Sequence, residues 1–297
     1  MRYFRNDEFM DDPSFPFRAM PAIVAKPIDI HTQEYMALVL VVEGSGRHEI
    51  AGTLLDISEG DAYLVEPGTT HAYHVCDNQP FMVYNVIFDR DFIGRELAVL
   101  TANDSFFQFF YAEPFIRRTN PEQPHLNLQR ADRLRLRHMI EVLVEEDRTR
   151  GQGYKMFIKT ALIQILIFLS RCNDRADRQT SLDASDELQM MRQIGEFISL
   201  HRTEPLTLEQ MSRLCGMGTT SFSTKFKQYS GFTFIDYRNR LRIKSACEDL
   251  VQTNHKIMDI AMNAGFDDLS HFNKLFRSVT GVSPGEYRRN DRSRPPM

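Results

Sequence analysis

The chain has no tryptophan and only four cysteines among its 297 residues. Cys76, Cys172, Cys215 and Cys247 are scattered, without the paired spacing of a zinc site or a redox dithiol. They read as reduced structural cysteines of a cytoplasmic protein, since free cysteine most often behaves as a small buried apolar residue. Long hydrophobic runs are missing as well. The longest, Ala161 to Leu169, is interrupted by Gln164 and falls short of the ~20 residues that cross a bilayer. The first residues mix Arg2, Arg5, Asp7, Glu8, Asp11 and Asp12 with Pro13 and Pro16, leaving no apolar core for a secretory signal. No membrane partner is expected. The chain also shows no nucleophile–base pair, phosphate-cradling glycine loop or helical metal motif. No catalytic residue, cofactor or metal is therefore expected.

What is present is an ordinary globular composition, 42% hydrophobic and 26% charged, over a length that implies two domains. The net charge of −4 conceals an uneven distribution. From Glu187 to Met297 there are 16 Lys and Arg against 12 Asp and Glu, a local +4 that leaves −8 on the remainder. A basic C-terminal part on an acidic body fits a polyanionic partner for that part alone.

From about Ala22 to Phe88 the pattern is β. Short apolar or alternating runs (Leu38–Val42, Arg47–Ile50, Ala62–Val65, His71–Val75, Phe81–Phe88) are separated by turn residues at Gly44-Ser45-Gly46, Ala51-Gly52, Glu59-Gly60-Asp61, Pro67-Gly68 and Asp77-Asn78. Many short strands at this spacing predict a sandwich or barrel. Periodicity then changes. Ala131–Glu146 places Leu136, Met139, Ile140, Leu143 and Val144 on one helical face, and Tyr154–Ser170 is a helix apolar on more than one side. Such a helix needs partners on two sides, which a barrel and a second subunit would supply. Arg171 to Asp186 is polar and reads as a linker. The expected organisation is a β-rich domain over 1–125, a helical linker and dimerisation segment over 126–172, a flexible linker over 173–186 and an all-helical domain over 187–297. The fold class is α+β multidomain.

The C-terminal region contains a divergent repeat of about 50 residues, LTLEQMSRLCGMGTTSFSTKFKQYSG and IMDIAMNAGFDDLSHFNKLFRSVTG. In the first copy Leu208, Met211 and Leu214 form an apolar stripe ending at Gly216, and Phe222, Phe226 and Tyr229 form a second. In the other copy Ile257, Ile260 and Ala261 precede Gly265, and Leu269, Phe272, Leu275 and Phe276 follow. Gly216 and Gly265 sit where a sharp interhelical turn needs positive φ. Asp267 is the expected N-cap of its helix, and Gly218 a poorer cap of the other. Opposite the apolar stripes run Thr220, Ser223, Thr224 and Lys227 in one copy and Ser270, Asn273, Lys274 and Arg277 in the other. Hydroxyls, an amide and cations without a carboxylate suit a helix entering a DNA groove. A predicted helix from Phe234 to Val251 connects the copies, about 27 Å long. Its Arg238, Arg240, Arg242 and Lys244 form either a solvated face or a phosphate-contacting edge.

These segments resemble the DNA-binding domain of the AraC/XylS family. The likeness rests on Gly265-Phe266, Phe272, Phe276, Gly281 and Ser283-Pro284 in the second copy and LTLEQMSRLCGMG in the first. Gly218 and Thr219 depart from the family's usual helix start. The stretch HTQEYMALVLVVEGSG with GDAYLVEPGTTHAYHV resembles the family's cupin-type sensor, nearer the rhamnose-regulator branch. The resemblance implies a cupin-like β-barrel followed by a double helix-turn-helix domain. Catalytic cupins hold a metal at positions that fall here on His31, Gln33, Ala37 and His71. Ala37 carries no donor, so a metal-free site is expected. Likeness to the arabinose-binding member implies effector contacts at Glu43, Tyr73 and Asn85, which His31 and His71 would join.

The implied function is a homodimeric, effector-responsive activator of transcription. Its partners would be a double-stranded DNA operator, RNA polymerase and a small polar effector such as a sugar. Two alternatives differ in class: a cupin-type enzyme fused to DNA-binding helices, and a regulator without an effector.

Overall fold

The structure is a computed structural model that describes residues 1–50, 52–76, 79–119, 125–176 and 187–292. The chain divides into two compact units, Met1–Thr180 and Ser181–Met297. The turn at Asp77-Asn78, Ala51 and most of the polar stretch up to Asp186 lie outside the described residues.

The first unit contains strands β1 (Arg2–Phe4), β2 (Phe17–Val24), β3 (Ile28–Gln33), β4 (Met36–Glu43), β5 (Ser45–Ile50), β6 (Thr53–Ser58), β7 (Asp61–Val65), β8 (His71–Val75), β9 (Phe81–Phe88) and β10 (Leu126–Asn127). Among the described residues they form two five-stranded sheets, ordered β1-β3-β8-β5-β6 and β10-β7-β4-β9-β2. Alternation along β4 sends Ala37, Val39 and Val41 into the core between the sheets, where they meet Tyr63, Val65, Tyr73, Val83 and Ile87. Leu38 and Leu40, on the opposite face of the same strand, are also fully buried. Helices cover that second face: α4 (Arg130–Thr149) packs on β2, and α3 (Glu113–Thr119) on β7. This is why β4 reads as a continuous apolar run instead of an alternating one.

Strand pattern missed the edges and the aromatic segment. β3 is exposed over its first three residues and buried over its last three, and β6, at the sheet edge, buries Ile57 alone, so neither presents an apolar face to read. Between β9 and β10 lie the short helices α1 (Gly94–Leu100), α2 (Asp104–Phe107) and, after a π-turn, α3. Phe106, Phe107, Phe109, Phe110, Tyr111 and Phe115 are all buried there, several against α5 (Tyr154–Arg175). An all-round apolar segment has no periodicity to read. Helix α5 runs through Arg175, five residues beyond its expected end at Ser170. It is long and apolar enough to cross a membrane by length and composition, but Ile158, Leu162, Ile165, Leu166, Phe168 and Leu169 are spent in the domain core.

The second unit comprises α6 (Glu187–Leu200), α7 (Leu208–Leu214), α8 (Thr219–Ser230), α9 (Phe234–Gln252), α10 (Ile257–Asn263), α11 (Leu269–Thr280) and α12 (Pro284–Arg292). The repeat is larger than the helix pairs. Each copy includes a third helix, α9 or α12, whose tyrosine meets the second helix edge-on: Tyr237 against Phe226 at 5.2 Å and Tyr287 against Phe276 at 5.5 Å. The following arginine then caps the entry to the first helix. Arg238 donates to the Leu206 carbonyl and Arg288 to that of His255, each at 2.6 Å. The turns differ by one residue, since Gly216 and Gly265 are 49 apart whereas Gly231 and Gly281 are 50 apart. Gly216 and Gly265 take φ of 63° and 88°, as their turns require.

Three expectations need correction here. Asp268, not Asp267, caps α11, accepting from the backbone N–H groups of Ser270 and His271. Tyr229 and Leu269 are exposed instead of buried, because each sits at the margin of its apolar stripe. Arg238 and Arg242 are not free to meet phosphate. Arg242 is buried, and donates to the carbonyls of Arg202 at 2.5 Å, Thr203 at 3.2 Å and Glu204 at 3.0 Å. Arg240 and Lys244 do stay exposed, with Arg240 lying over the Phe232 ring at 4.2 Å.

Candidate DNA-contacting face and effector cavity

On α8, packing of Phe222 and Phe226 inward turns Thr220, Thr224 and Lys227 to solvent, with Ser223 half-buried. Thr224 returns its hydroxyl to the Thr220 carbonyl at 3.0 Å, which leaves it less free for another partner. The stripe borders a groove of about 720 Å³ that also takes in Leu208, Thr233 and Ile235. On α11, Phe272 and Phe276 are fully buried, and Ser270, Asn273, Lys274 and Arg277 are all exposed. Among the described residues, the Asn273 and Lys274 side chains bond to nothing in the chain. The eight residues picked from sequence thus form two exposed, carboxylate-free stripes at equivalent places in the repeat.

In the first unit, strand register assembles a buried histidine–tyrosine cluster. His31 on β3 lies directly opposite His71 on β8, and His48 on β5 directly opposite Tyr73 on β8. Period-2 alternation puts His71 and Tyr73 on one face. The His31 and His71 rings are 4.1 Å apart, and His48 stacks on Tyr73 at 4.6 Å, nearly parallel. From the other sheet Tyr63 donates to the Tyr73 hydroxyl at 3.2 Å and stacks on His125 at 3.9 Å. His125 in turn is 3.1 Å from His48 Nδ1, while His48 Nε2 is buried without a hydrogen-bond partner. Burial holds His31 and His48 below the usual imidazole pKa, and pushes His71 down to about 4. It pushes Tyr73 up to about 12. His31, His48, His71 and Tyr73 are therefore neutral at physiological pH.

A cavity of about 160 Å³ opens beside this cluster. His31, His71, Tyr73 and Asn85 line it, as do Gln33 and Ala37 from the two replaced metal positions. Glu43 does not. It ends β4 beyond a register irregularity between Val41 and Glu43, and is exposed near Arg137 of α4. Sequence reading missed Tyr35, Phe4 and Phe9 in the lining, and His48, Tyr63 and His125 behind it. Alternation along Arg47–Ile50 was the available signal for His48. Among the described residues no three His, Cys, Asp or Glu side chains gather as a metal-ligand set. A larger open groove of about 750 Å³ lies near the N-terminus, bordered by Arg5, Phe15, Asp91, Lys155 and Lys159. Its lysines are already paired, Lys155 with Asp12 at 2.8 Å and Lys159 with Glu96 at 3.0 Å, so it offers less unsatisfied chemistry than the barrel.

Fold and surface together define a class: a β-barrel domain with a ligand-sized cavity, joined in one chain to a double helix-turn-helix domain. Residues 28–166 match the AraC-like ligand binding domain and residues 211–290 match the Helix-turn-helix domain. The chain belongs to the AraC family of DNA-binding transcription regulators, with a ligand-binding domain of that family's type. It is 25% identical over 263 residues to the HTH-type transcriptional activator RhaR of Klebsiella pneumoniae, covering 89% of this chain and 88% of that protein. It is 22% identical over 294 residues to the HTH-type transcriptional activator RhaS of an Enterobacter species, covering 97% of each. Among solved structures, the C-terminal domain of AraT, a response regulator from Geobacillus stearothermophilus, is 31% identical over 34% of this chain and 84% of that one, with a TM-score of 0.33.

Proposed function

We propose that this chain is an effector-responsive transcriptional activator, working in the cytoplasm as a homodimer on a double-stranded operator. The observation that carries this reading is the pair of exposed, carboxylate-free stripes on α8 and α11. Helix α9 has 19 residues, about 28 Å, a length suited to placing the two recognition helices in successive major grooves about 34 Å apart. The resemblance to RhaR and RhaS, both named as activators, supports activation through RNA polymerase. The rhamnose-regulator resemblance supports a carbohydrate effector in the barrel cavity. Exposed Leu134 and Val142 on α4, with Met156 and Phe157 on α5, support dimerisation through these helices. Against the enzyme reading stand Ala37 and Gln33, which supply no strong metal donor at two of the four cupin positions.

Selection of bound sequences from random DNA tests the reading. The expected result is a two-part motif with contacts in adjacent major grooves. Binding without sequence preference would remove it. Lys227 and Arg277 lie toward the C-terminal ends of their helices, where phosphate contact is the expected role. Neutralising either is expected to weaken binding to all sequences alike and to reduce the salt-dependence slope by about one unit. A loss confined to the selected site would contradict that role.

For the cavity, Tyr73→Phe and Asn85→Ala are each expected to blunt the transcriptional response to inducer by about 1–3 kcal/mol of effector affinity. Operator binding without inducer should persist. Reporter dose–response curves check this, and normal curves in both variants would make these residues barrel wall.

A further inference from the structure

The two helix-turn-helix halves of the second unit are joined in more than one place, and the joints bear on operator choice if α8 and α11 are the recognition helices. The first joint is α9. Toward its N-terminal end Tyr237 meets Phe226 of the first copy edge-on at 5.2 Å. Its C-terminal half gives Ile243, Ala246 and Leu250 to the core of the second copy, beside Ile260, Phe272 and Phe276. A single shared helix is a beam that still bends, since long helices curve.

The second joint is the turn between α6 and α7, residues 201–207. It leads into the first copy yet bears on the second. A Cβ on Gly265 would meet the Thr203 Cα and carbonyl oxygen at 2.9 Å each, so the α10–α11 turn rests on the backbone of this one. Backbone against backbone leaves no side-chain end to give way. The same turn is tied to α9 twice. Arg242 donates to the carbonyls of Arg202, Thr203 and Glu204, and Arg202 reaches the Ser245 hydroxyl at 3.1 Å. Turn, α9 and α10–α11 turn therefore close a triangle, which flexes only if a contact breaks. The first copy lacks the equivalent contact among the described residues. A Cβ on Gly216 would find nothing within 4 Å, although Gly216 has positive φ as Gly265 does, 63° against 88°.

DNA turns such rigidity into selectivity because it is a screw. Each added base pair moves the next site about 3.4 Å along the axis and about a tenth of a turn around it. A rigid pair of helices fits one separation, whereas a flexing pair accepts its neighbours too.

We propose that the α6–α7 turn, wedged between α9 and the α10–α11 turn, fixes the number of base pairs between the two operator segments that the chain reads. Thr203, Arg242 and Gly265 are positioning residues, acting through the angle between α8 and α11 and not through contact with a base.

The test measures binding of the full chain, Gly265→Ala and Gly216→Ala to the selected two-part site with one or two base pairs added to or removed from its middle. Both substitutions put a side chain at positive φ, and only the first drives it into a second turn. The unaltered chain is expected to prefer one spacing at least about tenfold over its neighbours. Gly265→Ala is expected to cut that preference to about threefold or less, or to move it by one base pair, with base preference inside each segment kept. Gly216→Ala is expected to keep the original spacing preference, whatever melting temperature it loses. If Gly265→Ala does not melt cooperatively, Ser245→Ala takes its place. It releases Arg202 from α9, and about a threefold fall in spacing preference is expected; an unchanged preference overturns the proposal.

Equal weakening at every spacing in Gly265→Ala would make the wedge merely structural and overturn the proposal. The same loss of spacing preference in Gly216→Ala would also overturn it, by tracing the effect to glycine strain. An unaltered chain that binds neighbouring spacings equally well sinks the rigid spacing and leaves the two-part motif standing. Absence of any two-part motif removes instead the DNA-binding reading on which the proposal rests.

Discussion

Arg242→Met is expected to destabilise the second unit by about 3–5 kcal/mol, the range for removing one partner from a buried, charge-assisted arrangement. Arg242 is 8% exposed, and burial lowers its pKa to about 10. It remains charged, and its guanidinium satisfies three carbonyls in the turn between α6 and α7: those of Arg202, Thr203 and Glu204. Methionine fills similar space but leaves those acceptors bare. The same turn receives the other half of the repeat. A Cβ on Gly265 would lie 2.9 Å from the Thr203 Cα and carbonyl oxygen, and Phe266 lies 5.7 Å beneath the Arg242 guanidinium. One arginine on the connecting helix therefore ties the entry of the first helix-turn-helix to the turn of the second. Urea unfolding followed by helical circular dichroism measures the loss. Lysine is not expected to rescue it, because an ammonium group cannot reproduce the planar fork. A change below about 1 kcal/mol would mean that water replaces the guanidinium at little cost, and that the two halves are held by apolar packing alone.

Asn273→Ala and Lys274→Ala are each expected to cost about 1–3 kcal/mol on the selected site, and to relax base preference at the position each reads. Both side chains are exposed on α11 and bond to nothing else among the described residues, so neither contributes to the fold in a way that would confuse the result. Asparagine pairs in bidentate fashion with adenine and lysine with guanine, whereas the hydroxyls on α8 discriminate less. The expected pattern is thus unequal: sharp loss of preference from α11, shallow loss from α8. Repeating the sequence selection with each variant checks it. Unchanged motifs in both would take these residues out of the readout and leave specificity to DNA shape.

Much of this architecture is legible from residue order alone, wherever a local period meets a single buried face. The stripes on α8 and α11 are in that class. Phe222 and Phe226, like Phe272 and Phe276, recur at helical spacing, so their positions dictate which residues look outward. The turns at Gly216 and Gly265 are local as well, since only the backbone conformation of one residue is at stake. The strands at Met36–Glu43, His71–Val75 and Phe81–Phe88 were readable because apolar content and turn residues bracket them closely. The mate of Tyr237-Arg238 was also in plain sight fifty residues on, at Tyr287-Arg288. A repeat judged by its apolar residues alone passes over it.

Tertiary structure decided what depends on partners distant in sequence. Arg238 and Arg242 sit in a basic helix together with Arg240 and Lys244, and nothing in that order separates the two capping arginines from their exposed neighbours. Only the α6–α7 turn, brought alongside α9, does so. His48 and His125 are 77 residues apart, and neither has a motif to announce it. They meet because register sets β5 beside β8 and the chain returns at β10. Glu43 has the alternation of an inward residue, and the irregularity at the end of β4 removes it from the cavity. Local periodicity determined the helices, their outward faces and the turns, since each rests on contacts within a few residues. The histidine–tyrosine cluster and the arginine staple were set by long-range packing, where burial and hydrogen-bond partners come from elements far along the chain.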